Sequence, residues 1–257
     1  MFFRGCLKGR GASDTISMRM SLKAVFFDID DTLFSTTDFA EKARRAAADA
    51  MRRRGLRLPT DHILRELSEV IAEFSSNYEH HFDKLLLRLP RRAFDGVNPA
   101  ILVAAGVHAY HDAKVRQLRP YPDVPPVLAK LARTDLVRGI ITSGLQTKQA
   151  DKLLRLGLYE FFTPTAIFIS DQIGISKPNP KLYQRACDEV GVQPRETLYV
   201  GDHPLQDIDP ANTLGMVTVH VRRGKHAPEQ GKTKAAFELK NFKELLTVLR
   251  KDFNVRA

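Results

Sequence analysis

Asp28-Ile29-Asp30-Asp31-Thr32 follows directly on the apolar run Ala24-Val25-Phe26-Phe27. In an extended strand side chains alternate faces, so Asp28 and Asp30 point the same way while Ile29 points away. Two neighbouring carboxylates repel, and the proton affinity of one of them rises. Such a pair can divide labour between an ionised nucleophile and a protonated acid. A divalent cation close by would keep the nucleophile ionised. Gly201-Asp202 and Asp207 bring further hard oxygen donors, which suit Mg²⁺ and not zinc. Thr142-Ser143-Gly144 offers hydroxyls, and Ile175-Ser176-Lys177-Pro178-Asn179-Pro180 offers a cation.

These residues need elements that bring them together. Ala24–Phe27 is apolar at every position, the pattern of a strand buried on both faces of a parallel sheet. The stretch 38–118 then reads as successive helices at 38–55, 60–74, 81–89 and 99–115, with Gly55 as a C-terminal glycine and Thr60 or Asp61 as an N-cap. After Pro120 strands and helices alternate. Strands are predicted at 136–143, 165–170, 197–202 and 216–221, the last of these closing the sheet, and helices at 125–134, 146–157, 180–191, around 208–214 and at 241–251. This order predicts an α/β fold, a Rossmann-like parallel sheet with helices on both faces, interrupted after its first strand by an all-helical insert. In such sheets ligands bind at the carboxyl ends of the strands, where Asp28, Thr142 and Asp202 fall.

Composition narrows the function classes. The chain has 257 residues, is 43% hydrophobic and carries a net charge of +10. The charge is spread between the first twenty residues and the segment beyond Arg222, without interleaved aromatics or a legible nucleic-acid module, so nucleic acid is not the expected primary partner. No apolar run reaches the roughly 18 residues that span a bilayer, and the N-terminus lacks the apolar stretch of a secretory leader. A cytoplasmic protein that does not engage the membrane is expected. Cys6 and Cys187 fit neither a disulfide framework nor a zinc site, and Cys187 reads as a small buried hydrophobe. Residues 1–19 lack periodicity and read as a disordered extension. Several residues keep plain alternatives: Thr142 as a helix N-cap, with Ser143 the better cap; Lys177 as a surface lysine; Asp207 as a cap; His203 as a histidine lining the entrance; and His80 and His81 as a solvated helix start.

The constellation resembles the haloacid dehalogenase superfamily, whose members are mostly phosphohydrolases. Its four motifs occur in order as Asp28-Ile29-Asp30-Asp31-Thr32, Gly139-Ile140-Ile141-Thr142, Lys177-Pro178 and Gly201-Asp202 with Asp207. The resemblance implies that Asp28 attacks phosphorus and forms an aspartyl-phosphate, and that Asp30 serves as acid and then as base. It implies that Thr142, Ser143 and Lys177 bind the phosphate, and that Mg²⁺ is held by Asp28, the carbonyl of Asp30, Asp202 and Asp207. An acid at position 30 favours phosphate esters over dehalogenation, because a halide leaves without a proton. The helical insert places the chain with members that carry a helical cap, giving an expected core of 20–36 and 119–257 and a cap of 37–118. AVFFDIDDTLF, Ser76-Asn77-Tyr78 with His81-Phe82-Asp83, and ISDQIGISKPNPKLY resemble an archaeal branch described as glyceraldehyde 3-phosphate phosphatases. The expected substrate is a small phosphorylated metabolite, either that triose phosphate or another such as phosphoglycolate. A non-catalytic regulator on the same fold is the rival of a different class, and the intact set Asp28, Asp30, Lys177 and Asp202 argues against it.

Overall fold

The computed structural model describes residues 21–75, 77–224 and 226–256. The expected N-terminal extension and Ser76 of the cap pattern lie outside the described residues. Six parallel strands make up one sheet: β1 (Ala24–Phe27), β2 (Val137–Thr142), β3 (Ile167–Ile169), β4 (Thr197–Gly201), β5 (Val217–Val221) and β6 (Phe237–Leu239). Their order is β3-β2-β1-β4-β5-β6, so the all-apolar β1 is central and the order reverses between β1 and β4. The expectation that the strand at 216–221 ends the sheet is corrected by β6, which pairs in parallel with β5 through Phe237, Glu238 and Leu239. Three residues are too few to show a period, and only Leu239 among them is buried.

Four helices follow β1: α1 (Thr36–Arg53), α2 (Thr60–Phe74), α3 (His81–Arg88) and α4 (Pro99–Gln117). α5 (Val124–Leu131) leads into β2, and α6 (Gln146–Arg155) connects β2 to β3. The short α7 (Ser170–Ile173) and α8 (Pro180–Val190) lead to β4, α9 (Asp209–Thr213) lies between β4 and β5, and α10 (Lys243–Phe253) follows β6. Alternation along β1 splits the core between the two faces of the sheet. Val25 and Phe27 pack with Leu128 of α5 and Leu245 of α10, while Ala24 and Phe26 pack with Leu182 and Ala186 of α8. The first four helices bury a separate core, including Ala47 and Met51 of α1, Ile63 and Leu67 of α2, Leu85 of α3 and Leu102 of α4. The expected cap of α2 is corrected. Pro59 occupies the N-cap without a side-chain bond, and Thr60 is the first helical residue. Its hydroxyl is used sideways, donating to Asp49 at 2.7 Å and accepting from Arg52 at 3.0 Å, which ties α2 to α1.

Gly139 shows how tightly the strands beneath the site are packed. A Cβ there would lie 2.4 Å from the Phe26 ring and 2.7 Å from the carbonyl oxygen of Ala166. Overpacking of a close-packed core costs about 1–3 kcal/mol. Gly139→Ala is therefore expected to lower stability by at least about that amount in a denaturant titration. An unchanged midpoint would contradict the packing described for β1 and β2.

Candidate active site

The parallel register sets Phe27 beside Val200, and the Asp28 amide continues the ladder by donating to the Val200 carbonyl at 2.9 Å. Asp28 and Asp202 thus leave the sheet at one edge, where the strand order reverses. The next residues explain the remaining spacing. Pro204–Ile208 form a wide helical turn, within which the Asp207 amide donates to the His203 carbonyl at 2.8 Å and the His203 amide donates to Asp207 Oδ2 at 3.0 Å. The turn folds Asp207 back over Gly201, where a Cβ would lie 2.4 Å from Asp207 Oδ2. Glycine at 201 is what lets the second carboxylate return to the strand end. One oxygen from each of Asp28, Asp202 and Asp207 then lies within 4.8 Å of the others. After β1, Asp31 adopts a left-handed φ of 53° and accepts the Thr36 amide at 2.8 Å, which turns the chain into α1.

Lys177 reaches the centre of this cluster. Its ammonium donates to Asp28 Oδ1 at 2.6 Å and to Asp207 Oδ1 at 2.7 Å, with only 2% of its side chain exposed. Tyr199 also donates to Asp207 Oδ1 at 3.1 Å, and Thr32 donates to Asp202 Oδ1 at 3.3 Å. Three buried carboxylates therefore face one buried ammonium. Burial is the largest influence on Asp28; the Lys177 charge opposes it, Asp207 and Asp30 reinforce it, and the carboxyl is pushed up to about 7. Burial, followed by the charges of Asp207, Asp28 and Asp31, pushes Asp202 up to about 9. Burial works against the Lys177 cation, but Asp207 and Asp28 outweigh it and hold the ammonium well above its ordinary value.

A divalent cation fits this arrangement. The donors are all carboxylate oxygens, the type that suits Mg²⁺. Asp202 Oδ2 is buried and has no hydrogen-bond partner among the described residues. Asp28 and Asp202 are the side chains placed to hold the ion directly. Both Asp207 oxygens are engaged by Lys177, Tyr199 and the His203 amide, although Asp207 also belongs to the three-carboxylate group that could hold an ion.

Asp30 has different surroundings from those expected. Lys152 donates to its two oxygens at 2.6 and 2.7 Å, Thr36 to Oδ1 at 2.9 Å and Gln149 to Oδ2 at 3.1 Å. Burial alone would raise this carboxyl, but the Lys152 charge and these hydrogen bonds win and hold it below its ordinary value. In the metal-free protein the proton thus resides more readily on Asp28 than on Asp30, the reverse of the expected division. The sequence reading missed Gln149 and Lys152. They stand three apart on α6, on one helix face just after the Thr142 strand end, and that spacing was a usable sign.

Thr142 Oγ1 is buried with no hydrogen-bond partner among the described residues, and it does not cap a helix. Ser143 does not cap one either. The residue at the N-cap of α6 is Leu145, and Asp171 accepts the Gln146 amide at 3.0 Å. Ser143 Oγ instead lies 3.1 Å from Ser176 Oγ and accepts the Lys177 amide at 3.1 Å, so it fixes the lysine loop. Cys187 is fully buried, as its reading required. A cleft of about 660 Å³ opens over Asp30, Ser143 and Lys152 and is roofed by Arg44, Tyr78, His81 and Tyr110 of the helical insert.

A profile for haloacid dehalogenase-like hydrolases matches residues 22–215. A Methanopyrus kandleri protein named glyceraldehyde 3-phosphate phosphatase is 46% identical over 89% of this chain and 97% of its own length. A Pyrococcus furiosus protein of the same name is 40% identical over 90% of this chain and 94% of its own. Among solved structures, a haloacid dehalogenase phosphatase from Thermococcus onnurineus superposes with a TM-score of 0.63 at 27% identity, covering 89% of this chain and 98% of its own. The chain belongs to the haloacid dehalogenase-like hydrolases. Within them it is a phosphoric monoester hydrolase, as its named relatives are.

The raised carboxyls make metal-free stability depend on pH. Between the ordinary value of 3.8 and the raised values of about 7 and about 9, the folded protein binds more protons than the unfolded chain, so stability falls as pH rises. In EDTA the Tm is expected to drop as pH climbs through about 7 and on towards about 9. Excess Mg²⁺ should remove the drop, so that its stabilising effect grows with pH. A Tm difference between EDTA and Mg²⁺ that stays constant across this range would contradict the charge assignment.

Proposed function

We propose that the chain is a Mg²⁺-dependent phosphatase that hydrolyses a small phosphate monoester, with glyceraldehyde 3-phosphate the leading candidate, through an aspartyl-phosphate on Asp28. The observation that carries this reading is Lys177 bridging Asp28 and Asp207 inside a buried cluster that has an excess of negative charge. Asp28 attacks phosphorus and the ester P–O bond breaks; Asp30, which must first take up a proton against the Lys152 clamp, passes it to the leaving oxygen. Water then gives a proton to Asp30 while its oxygen attacks phosphorus, which frees Asp28 and inorganic phosphate. Lys177 offsets the charge that Asp28 and the phosphoryl group bring together, and the Thr142 hydroxyl is available to donate to a phosphoryl oxygen. A Mg²⁺ ion held by Asp28 and Asp202 would supply positive charge at the same place, keeping both carboxylates ionised. The ionised, clamped Asp30 is ready for the base half of the cycle. The Lys152 clamp opposes the acid half and makes Lys152 the group that positions and tunes Asp30.

The substrate reading rests on the cleft and on the relatives. Asn77, Tyr78, His81 and Phe82, from the pattern shared with the triose phosphate branch, all line the cleft, whose size suits a small metabolite. Arg44 and Lys148 also line it and would favour a substrate with a second anionic group, such as phosphoglycolate.

Asp28→Asn is expected to abolish phosphate release from p-nitrophenyl phosphate with the fold preserved, and excess EDTA should stop the unmodified enzyme. Retained turnover in the variant would sink the nucleophile assignment. A panel of small phosphate esters ranked by kcat/KM separates the substrates. Glyceraldehyde 3-phosphate is expected to lead, and a clear preference for phosphoglycolate would replace it.

A further inference from the structure

Beyond the Asp28, Asp202 and Asp207 cluster, a second group of ligating side chains stands beside the same turn. His203 directly follows Asp202, and its ring stacks on His226 with centroids 3.9 Å apart and planes at 18°. His226 Nδ1 lies 2.7 Å from Glu229 Oε1, and His203 Nδ1 lies 3.8 Å from Glu229 Oε2. One donor atom from each residue falls within 4.8 Å of the others. Ligand atoms of a tetrahedral ion with bonds of ~2.0 Å lie about 3.3 Å apart, so the three are near that separation, and the stacked rings must turn for both imidazole lone pairs to meet one ion.

The chemistry of this group differs from that of its neighbour. Two imidazoles and one carboxylate suit a borderline cation such as Zn²⁺ or Co²⁺, whereas the three-aspartate cluster suits Mg²⁺. The loop that carries His226 and Glu229 is also held in place. The Glu229 amide donates to the His226 carbonyl at 3.0 Å, which sets the two side chains on one turn. The Arg222 guanidinium donates to the Ala227 carbonyl at 3.2 and 3.3 Å. At one end Gly224 packs so closely on Asp31 that a Cβ would lie 2.6 Å from the Asp31 Cβ. At the other, Asp209 accepts the amides of Lys232 and Thr233 at 2.9 and 2.8 Å and the Thr233 hydroxyl at 2.6 Å. The His203 and His226 side chains are 16% and 18% exposed, which leaves them sheltered yet reachable by an ion.

We propose that His203, His226 and Glu229 form a second metal site, selective for a Zn²⁺-class transition cation, that clasps the segment 226–234 onto the turn between Asp202 and Asp207. This inference stands on the loop geometry and does not depend on the phosphatase reading. An ion there ties a surface loop to the segment that presents Asp202, so it acts on the site's stability and not on the chemical step.

Co²⁺ titration in the presence of excess Mg²⁺ tests it, read by metal content after dialysis, visible absorption and Tm. The unmodified protein is expected to bind one equivalent of Co²⁺ that Mg²⁺ does not displace, with visible bands of nitrogen-ligated cobalt and a raised Tm. His226→Ala should lose that equivalent and the Tm rise. Glu229→Gln, which preserves side-chain size, should bind at least about tenfold more weakly. Circular dichroism and Mg²⁺-supported phosphate release would show that both variants are folded. Equal Co²⁺ binding by the unmodified protein and both variants, or no retained Co²⁺ at all, would overturn the site.

Discussion

Three carboxylates share a buried volume with a single ammonium, and most of the site follows from the need to tolerate that charge. Burying an ion costs several kcal/mol even after the protein relaxes, and attraction repays it only where partners are well placed. Lys177 meets two of the acids at 2.6 and 2.7 Å, yet one cation cannot balance Asp28, Asp202 and Asp207 together. The remainder is visible as Asp28 raised to about 7 and Asp202 to about 9. Such a cluster suits a divalent cation, and Asp202 Oδ2, buried with no hydrogen-bond partner among the described residues, is an oxygen open to it.

The surrounding architecture can be understood as the means of holding this cluster. The reversal of strand order between β1 and β4 places two strand ends side by side with no helix between them. Glycine at 201 and the wide turn after it return Asp207 to the same spot. Ser143 holds the backbone of Lys177, which aims the ammonium from a third direction. Asp30, one step outside, has its own cation in Lys152, which holds it ionised while its charge adds to the pressure on Asp28. The helical insert packs around a separate core and contributes the roof of the cleft, while the strand ends and α6 supply its floor.

Much of this was legible in the sequence where the pattern had a strict physical cause. The continuous apolar run of β1, the alternation of strands with helices, three strand-end motifs and the lysine loop placed Asp28, Thr142, Asp202 and Lys177 without coordinates. What escaped was decided by tertiary contact. β6 is too short to carry a period. The N-cap positions of α2 and α6 fall on Pro59 and Leu145, because Thr60 binds α1 and because Asp171 reaches the Gln146 amide from another element. The protonation of Asp28 and Asp30 could not be ordered from spacing alone, since Lys152 lies 122 residues from Asp30 in the chain.

The account stands or falls on Asp28 as the atom-bearing partner of phosphorus. The most direct measurement is to quench the Mg²⁺-loaded enzyme with acid during turnover, reduce it with labelled borohydride and map the labelled peptide. The account predicts homoserine at position 28, the product of reducing an aspartyl-phosphate there. Label at Asp30, or turnover with no labelled residue at any time point, would contradict it.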